Sequence, residues 1–463
     1  MRRPGEILLI SCYELGHQPL HLAGLHSLLG QAGYVPVSVD TAVEALSAEV
    51  IGRARFVAIS VPMHTALRLG EQVARRVRAL NPDAYLCLYG LYALLNADYL
   101  LAQTIDAAIG GEYEEPLLKL IQALEAEAPL DVAGVKTRQQ ESGPWIRRAP
   151  PVIPQRTQLP PLTRYAHLQI DGQAVPVGYT ETTRGCKHTC LHCPLTPIYQ
   201  GRFFALPLEI VLADIRAQVQ EGARHITFGD PDFLNGPTHA LRIARALHQE
   251  FPTLTFDATI KIEHLLKHQH LLPELRTLGC AFVVSAVESL NEQVLTHLAK
   301  GHRSADVARA FTLMAAAGLP LRPSLLPFSP WETLESYLAL LAFFEKRHLV
   351  EHVDPVHWSI RLLIPPGSSL LKAAGEQPWL GQLDAAAYTY RWQHPDPRMD
   401  ALQQRVAHLV EQAQQTAQES VETFFLIKAL ARSACGQFIR PEQELADYGQ
   451  RKVIPHLSES WFC

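Results

Sequence analysis

The sequence predicts an α/β fold in three parts: an N-terminal doubly wound parallel, flavodoxin-like sheet, then a partial (β/α)6 barrel, then a helical C-terminal region. Two series of apolar strands that alternate with helical patterns predict the first two parts. A nearly continuous helical pattern over 400–434, rich in Gln, Ala and Leu, predicts the third part. We place the sheet domain at 1–126, a proline-rich linker at 127–174, the barrel at 175–370, and the helical region with its tail at 371–463.

Five short apolar runs predict the strands of the first sheet, and single helical patterns separate them. Strands joined in this way form a parallel sheet, in which ligands bind at the carboxyl ends of the strands. After this sheet, seven prolines among polar residues break the alternation, which predicts the linker. The five strand candidates are Glu6–Cys12, Val35–Val39, Arg55–Val61, Ala84–Leu88 and Asp106–Ile109.

Six further strand candidates predict the barrel, and helices of ordinary length separate most of them. In barrels of this kind, reactive groups lie at the carboxyl ends of the strands. The candidates are Val175–Thr182, His225–Gly229, Thr255–Thr259, Ala281–Ala286, Leu321–Leu326 and Val356–Leu363.

The composition is that of a globular protein, with 48% hydrophobic and 19% charged residues. The formal net charge of −5 predicts no general attraction for nucleic acid or for an anionic membrane. No apolar run is long enough to cross a membrane, and we expect no secretory signal. The eight cysteines are too few for a disulfide framework in a chain of 463 residues. We therefore expect reduced thiols and a cytoplasmic protein.

Three of the cysteines form the sharpest feature of the sequence. Cys186, Cys190 and Cys193 follow the first barrel strand with the spacing C-x3-C-x2-C. Three thiolates are one short of a closed zinc site, whereas a [4Fe–4S] cluster with three cysteine ligands keeps one iron open. The alternatives are a zinc site completed by His188 or His192, or three thiols without a shared role. The position on a loop after a barrel strand favours the cluster.

The motif and the half-barrel resemble the radical S-adenosylmethionine (SAM) enzymes over residues 175–365. In that family the three cysteines hold the cluster, the open iron binds the methionine part of SAM, and one electron cleaves a C–S bond. The resemblance therefore implies that Cys186, Cys190 and Cys193 are the cluster ligands. The family usually has an aromatic residue before the third cysteine, packed on adenine, and here that residue is His192.

Two further positions resemble SAM contacts of the family. Gly229 and Asp230 end the second barrel strand, where many members have Gly-Gly-Glu around the methionine ammonium. The alternative for Asp230 and for the neighbouring Asp232 is a strand-end turn with helix capping. Glu288 ends the fourth strand, whose terminal acid often contacts SAM; its alternative is an acid that faces solvent.

Residues 6–126 resemble the cobalamin-binding domain that precedes many radical SAM barrels. The glycine pair Gly110-Gly111 at a strand end would let the backbone approach a ligand closely. In the best-known cobalamin motif, Asp-x-His-x-x-Gly, the histidine ligates cobalt. Here Pro19 replaces the aspartate before His21, so we expect His17 and His21 to be structural or to face a corrin ring without ligating cobalt. The alternative is a docking domain that kept the fold and lost the ligand.

The last residue, Cys463, follows a polar stretch that ends in Trp-Phe. The phrases GDPDFLNGP, PWETLESY and SIRLLIPPGSSLL resemble a radical SAM group whose tail reads Cys, then Cys or selenocysteine, then Ala-Glu-Pro. The resemblance implies a chain truncated at a selenocysteine codon, with a thiol that reaches the active site. The alternative is an ordinary terminus with a spare thiol.

Together these features predict a SAM-dependent radical enzyme with a [4Fe–4S] cluster and cobalamin. It would transfer a methyl or a 3-amino-3-carboxypropyl group to a small-molecule substrate, with a flavodoxin- or ferredoxin-type reductant. The alternative is a non-catalytic iron–sulfur or corrinoid sensor or redox-binding protein, in which a structural cluster would need a fourth protein ligand. Cys280, the only other barrel cysteine, lies at a strand start away from the cluster. We expect His264, His268 and His270 to be solvated on a polar helix.

Overall fold

The computed structural model describes residues 1–148, 151–375, 377–437, 441–449 and 454–459. The predicted tail thiol, Cys463, lies outside these residues. Among the helices of the described ranges, none combines the length and the apolar character that a membrane span requires.

The first sheet has six strands in the order β2-β1-β3-β4-β5-β6. The five predicted strands are present and parallel, and β6 adds an antiparallel edge from within the predicted linker. The strands are β1 (Ile7–Ser11), β2 (Val37–Asp40), β3 (Phe56–Ser60), β4 (Tyr85–Tyr89), β5 (Ala107–Ile109) and β6 (Val135–Lys136).

Both faces of this sheet are covered, as doubly wound sheets require. Successive residues of β1 alternate between two cores: Leu8 and Ile10 pack on one face, Ile7 and Leu9 on the other. The helices of this part are α1 (Leu20–Gln31), α2 (Ala48–Arg53), α3 (His64–Leu80), α4 (Leu91–Leu95), α5 (Ala97–Gln103) and α6 (Glu114–Glu125).

The second sheet is the half-barrel, with the strand order β14-β13-β12-β11-β8-β7-β17. Its five central strands, β8 and β11 to β14, are parallel, while β7 and β17 form an antiparallel edge. The strands are β7 (His167–Ile170), β8 (Gln173–Thr180), β11 (His225–Phe228), β12 (Thr255–Thr259), β13 (Cys280–Glu288), β14 (Leu321–Leu325) and β17 (His456–Leu457). Between β8 and β11 lies the antiparallel pair β9 (Thr183–Gly185) and β10 (Phe203–Ala205).

The sixth strand candidate, Val356–Leu363, does not form a ladder. Pro355 begins a 3₁₀ helix that runs to Trp358, and only one bridge, between Phe328 and Arg361, continues the sheet. A proline lacks the N–H that a ladder needs and its φ suits a helix start, which explains the difference.

Helices follow the barrel strands and continue into the C-terminal region. The predicted helix over 400–434 is broken in two, since Ala417 adopts a left-handed φ of 51° between α16 and α17. A small hairpin of β15 (Leu380–Asp384) and β16 (Thr389–Trp392) precedes them. The helices are α7 (Leu195–Tyr199), α8 (Leu208–Gln220), α9 (Pro237–Glu250), α10 (Ile262–Lys267), α11 (Leu272–Thr277), α12 (Glu292–His297), α13 (Ser304–Ala316), α14 (Leu334–Lys346), α15 (Ser369–Ala374), α16 (Pro397–Gln415), α17 (Ser420–Ala434) and α18 (Pro441–Asp447).

The predicted fold class is confirmed: a parallel sheet, a curled half-barrel and C-terminal helices follow one another. The domain boundaries at residues 126, 174 and 370 stay predictions. The segment predicted as a linker contributes β6 to the first sheet and β7 to the second. Hydrogen bonds therefore hold one part of this segment to each sheet.

Candidate functional site

The three cysteines lie on one loop that leaves the carboxyl end of β8 through β9. Gly185 ends β9 with a φ of 76°, and a Cβ there would overlap the Tyr199 ring and the Arg202 carbonyl, so only glycine fits. Cys190 is buried, and Cys186 and Cys193 are half-buried. None of the three forms a disulfide.

Asn235, which follows β11, holds the start of this loop. The Lys187 backbone N–H donates to the Asn235 side-chain oxygen (3.3 Å), and the Lys187 ammonium donates to the Asn235 carbonyl (3.2 Å). The Cys186 thiol lies 3.7 Å from the same side-chain oxygen. The loop is therefore tied to the neighbouring strand end.

The spacing of the cysteine sulfurs bears on the zinc alternative. Within the described part of the chain, one trio of His, Cys, Asp and Glu donors lies within 4.8 Å of one another, and it consists of His188, Asp232 and His264. The three cysteine sulfurs do not form such a trio, so this geometry does not by itself decide between zinc and a cluster.

The side chains of His192 and Glu288 are in contact. The resemblance to radical SAM enzymes places both residues in one SAM site, and their contact agrees with that. His192 Nε2 lies 3.3 Å from Glu288, and the Lys300 ammonium donates to the same carboxylate oxygen at 3.0 Å. Glu288 is buried, which would raise its pKa, but Lys300 and His192 hold the pKa well below its usual range. The alternative, in which Glu288 faces solvent, is therefore wrong.

Lys300 is a functional candidate that sequence reasoning missed. It is buried and interacts electrostatically with Cys190 and Cys193 as well as with Glu288. It follows α12 in a segment without any motif, so no spacing pattern in the sequence points to it.

Asp230 is buried at the end of its strand, where Thr182 and Thr183 surround its carboxylate. Its carboxylate accepts hydrogen bonds from the Thr182 backbone N–H (2.7 Å) and from the Thr182 and Thr183 hydroxyls (both 2.6 Å). Burial raises the pKa of Asp230 to about 6. These bonds anchor the entry to the cysteine loop, and the predicted contact with the SAM ammonium stays a prediction.

Gly229 leaves room for the side chain of Tyr179 on the neighbouring strand. A Cβ at this position would overlap the Tyr179 phenol, which crosses the strand end here. A SAM contact at Gly229 also stays a prediction.

Asp232 caps a helix, as the alternative to a SAM contact predicted, and it also contacts two histidines. One carboxylate oxygen accepts from the Leu234 N–H (3.1 Å) at the start of a 3₁₀ helix. The other lies 2.6 Å from His264 Nδ1 and 3.4 Å from His188 Nε2. The expectation that His264 is solvated is wrong: it is 1% exposed, because the first turn of α10 packs against the barrel. His270 is exposed as expected.

Cys280 begins β13, and Glu288, which meets the cysteine loop, ends that strand. The Cys280 thiol is buried and donates to the Phe282 carbonyl at 3.4 Å. Its predicted position at the far end of the barrel strand is confirmed.

A buried ion-pair network joins the cysteine-loop entry to the carboxyl edge of the first sheet. Arg184, in β9, pairs with Glu114, with Glu112 (3.3 Å) and with Glu181 (3.0 Å). The Tyr199 hydroxyl also donates to Glu112 at 2.8 Å. The two sheets therefore face each other through charged groups that no solvent screens.

His21 lies in the same interface, between Glu14 (3.6 Å) and Glu181 (3.4 Å). Burial alone would lower its pKa, but Glu14 and Glu181 outweigh burial and raise the pKa to about 10. The imidazole is therefore held as a cation near neutral pH. His17 differs: it stacks on Tyr179 with centroids 4.7 Å apart, and burial lowers its pKa to about 4.

Gly110 and Gly111 make room for other parts of this chain. A Cβ at Gly111 would overlap the Trp145 backbone, and one at Gly110 would overlap Leu94. The expected close approach is therefore real, but its partners are Trp145 and Leu94 rather than a ligand, because residues after the first sheet return to pair with the Gly111 backbone.

A cavity of about 690 Å³ opens at the carboxyl edge of β1 and β2. Cys12, Glu14, His17, Thr41 and Glu459 are among its lining residues, and the Tyr13 hydroxyl donates to Glu459 at 2.6 Å. Two buried polar atoms at this edge, Ser11 Oγ and His17 Nδ1, have no hydrogen-bond partner in the described structure.

The architecture is thus a half-barrel with a three-cysteine loop at the end of its first parallel strand, joined to a parallel sheet. Residues 180–342 match the model of the radical SAM superfamily. The resemblance to radical SAM enzymes that the sequence predicted is confirmed over these residues.

Solved structures share the whole architecture. The cobalamin-dependent S-adenosylmethionine radical enzyme OxsB superposes with a TM-score of 0.71 at 16% identity, covering 96% of this chain and 74% of that chain. The radical S-adenosylmethionine methyltransferase TsrM from Kitasatospora setae superposes with a TM-score of 0.66 at 14% identity, covering 96% and 99%. At this identity the likeness establishes the fold.

Among curated proteins, an uncharacterized methyltransferase of Pyrococcus horikoshii is 23% identical over 281 residues. The match covers 59% of this chain and 60% of that relative's length.

Proposed function

We propose that this protein is a radical SAM methyltransferase that uses a [4Fe–4S] cluster, SAM and cobalamin to methylate a small-molecule acceptor. The observation that carries the proposal is the three-cysteine loop at the end of β8, opposite the carboxyl edge of the first sheet. A reductant of flavodoxin or ferredoxin type and a cytoplasmic location complete the proposal.

The residues around the loop fit a cluster. Cys186, Cys190 and Cys193 would hold it, and the Lys300 ammonium beside two of these cysteines suits an anionic thiolate–cluster assembly. When bound, such a cluster supplies the electron that cleaves SAM. The remaining barrel cysteine, Cys280, lies at the opposite end of β13 from the loop. It therefore cannot serve as a fourth thiolate ligand of a cluster on the loop.

The strand ends next to the loop fit SAM. We propose that Gly229 and Asp230 receive its methionine ammonium and that Glu288 and His192 contact its nucleoside part. Asp230 already accepts three hydrogen bonds, and a carboxylate has about four acceptor positions, so one further donor can be accommodated. Lys300 then orients Glu288.

The interface fits a corrinoid whose cobalt has no histidine ligand. The 690 Å³ cavity and the unpaired polar atoms of Ser11 and His17 at the same sheet edge would suit the amide groups at the periphery of a corrinoid. A protonated His21 has no free lone pair for cobalt. When bound, cobalamin supplies a transferable methyl group.

Anaerobic reconstitution followed by mass analysis of the SAM products tests the proposal. Methyl transfer predicts S-adenosylhomocysteine, together with 5′-deoxyadenosine when a radical is generated. Methylthioadenosine would instead indicate transfer of the 3-amino-3-carboxypropyl group. A protein that holds its cluster and corrinoid but cleaves no SAM under reducing conditions would be the non-catalytic sensor.

A further inference from the structure

We propose a second metal site, for one divalent transition-metal ion, formed by His188, Asp232 and His264 beside the cysteine loop. The donors are His188 Nε2, Asp232 Oδ2 and His264 Nδ1, which all lie within 4.8 Å of one another. They come from three separate places: the cysteine loop, the turn after β11 and helix α10 after β12. Such a site is independent of the cluster and of the proposed methyl transfer.

The three donor atoms converge on one buried point. Asp232 Oδ2 pairs with His264 Nδ1 at 2.6 Å and with His188 Nε2 at 3.4 Å, and these three atoms have no further partner in the described residues. Asp232 and His264 are each 1% exposed. Buried polar atoms need partners, and a metal ion shared by all three atoms would replace these two ion pairs.

The distances and the donor types suit a metal ion. Ligand atoms about 2.1 Å from a tetrahedral ion lie roughly 3.4 Å apart, which the His188–Asp232 pair matches. The closer His264–Asp232 pair has to open by less than about 1 Å. Two imidazoles and one carboxylate suit zinc or ferrous iron, and three protein ligands leave a position open for water or another ligand.

The surroundings supply partners for the ligands. The second oxygen of Asp232 already accepts from the Leu234 N–H. His188 Nδ1 lies 3.2 Å from the Lys261 ammonium and 3.7 Å from Glu263. The Lys261 ammonium donates to Nδ1, so Nδ1 accepts in this structure. Metal binding through Nε2 would place a proton on Nδ1, and Lys261 would leave Nδ1 and keep its bond to Glu263 at 3.2 Å. The Nδ1–H would then turn to the Glu263 carboxylate, the acid behind a ligating histidine.

A metal ion here would clamp the cysteine loop to two barrel strands, because His188 lies between the first two cysteines. The test uses the full-length, cluster-loaded protein, dialysed anaerobically against buffered micromolar Zn²⁺, with zinc and iron measured together. We expect one zinc per chain in addition to the cluster iron. His264→Gln should lose the zinc and keep the iron. The matched control His270→Gln, on an exposed residue, should keep both.

Two further measurements keep the proposal open to refutation if His264→Gln folds poorly. The zinc absorption-edge spectrum of the wild type should contain only nitrogen and oxygen neighbours, and Glu263→Gln should weaken zinc binding about 10–100-fold. Sulfur neighbours would assign the zinc to the cysteines. Absence of zinc from the wild type, or its retention in a folded His264→Gln variant, would leave the trio as a hydrogen-bonding group only.

Discussion

The two carboxyl edges that face each other in this protein are built in opposite ways. The barrel edge presents a cofactor motif on one loop, with Cys186, Cys190 and Cys193 within eight residues. The edge of the first sheet has no contiguous motif: Glu14 follows β1, and Glu112 and Glu114 follow β5, about a hundred residues later. Both edges are nevertheless buried and charged.

The two edges differ in where the partners of their side chains come from. The cysteine loop needs only local geometry and the Asn235 anchor to bring its thiols together. The acids of the first sheet are satisfied by the barrel, because Arg184 pairs with Glu112 and Glu114, and Glu181 faces His21. Each edge therefore supplies charged partners to the other.

The largest expected effect is at the cysteine loop. Replacing Cys186, Cys190 and Cys193 by Ala should remove the visible iron–sulfur absorbance and about four irons per chain after reconstitution. Cys280→Ala, in the same barrel but at the other end of β13, should retain both. Iron that persists in the triple variant would break the assignment of this loop.

The next largest effect is at the interface. Arg184→Met should lower the free energy of unfolding by about 3–5 kcal/mol, because it leaves Glu112 and Glu114 buried without their cation. Arg398→Met removes an exposed ion pair with Asp396 and should change the free energy of unfolding far less. Urea unfolding followed by tryptophan fluorescence compares the two; equal losses would show that the two edges do not depend on each other.

The charge on His21 predicts a pH dependence. Its pKa is about 10 in the folded protein, above the ordinary value of 6.5, so Glu14 and Glu181 stabilise the fold fully below pH 6.5. This stability is lost as the pH rises toward 10, at up to about 1.4 kcal/mol per pH unit. Urea midpoints of wild type and His21→Gln should therefore converge between pH 6.5 and pH 10. A constant difference over this range would show that His21 is uncharged.

Asp230 tests whether the strand end binds SAM or only anchors the loop. Asp230→Asn should weaken SAM binding to the reconstituted protein by about 1–3 kcal/mol, measured by isothermal titration. Thr183→Val removes one of the hydroxyls that donate to this carboxylate and serves as the control. If both variants lose the same affinity, or neither loses any, Asp230 is an anchor for the loop.

The smallest expected effect is spectral. If the first sheet binds a corrinoid without a histidine ligand, His21→Ala should leave the cobalamin absorption spectrum of the loaded protein unshifted, since the cobalt environment does not change. A shift would make His21 a cobalt ligand after all. A wild type that retains no corrinoid would support the docking-domain alternative.

Much of this architecture follows from sequence periodicity. The five strands of the first sheet and the five central barrel strands were predictable, because long apolar runs between helical patterns leave few other arrangements. The sixth barrel strand was not, because Pro355 starts a 3₁₀ helix inside an apolar pattern that looks like a strand. Local chemistry overrode periodicity there.

The sequence by itself determined the cysteine loop and its place after the first barrel strand, because that motif is contiguous. Only the tertiary structure decided what surrounds it. Lys300 reaches Glu288, and His264 reaches Asp232, across gaps of 12 and 32 residues with no shared pattern. Arg184 meets the acids of the first sheet across about seventy residues. Pairings of this kind depend on how strands are ordered in space, and burial gives them their strength, so no spacing along the chain encodes them.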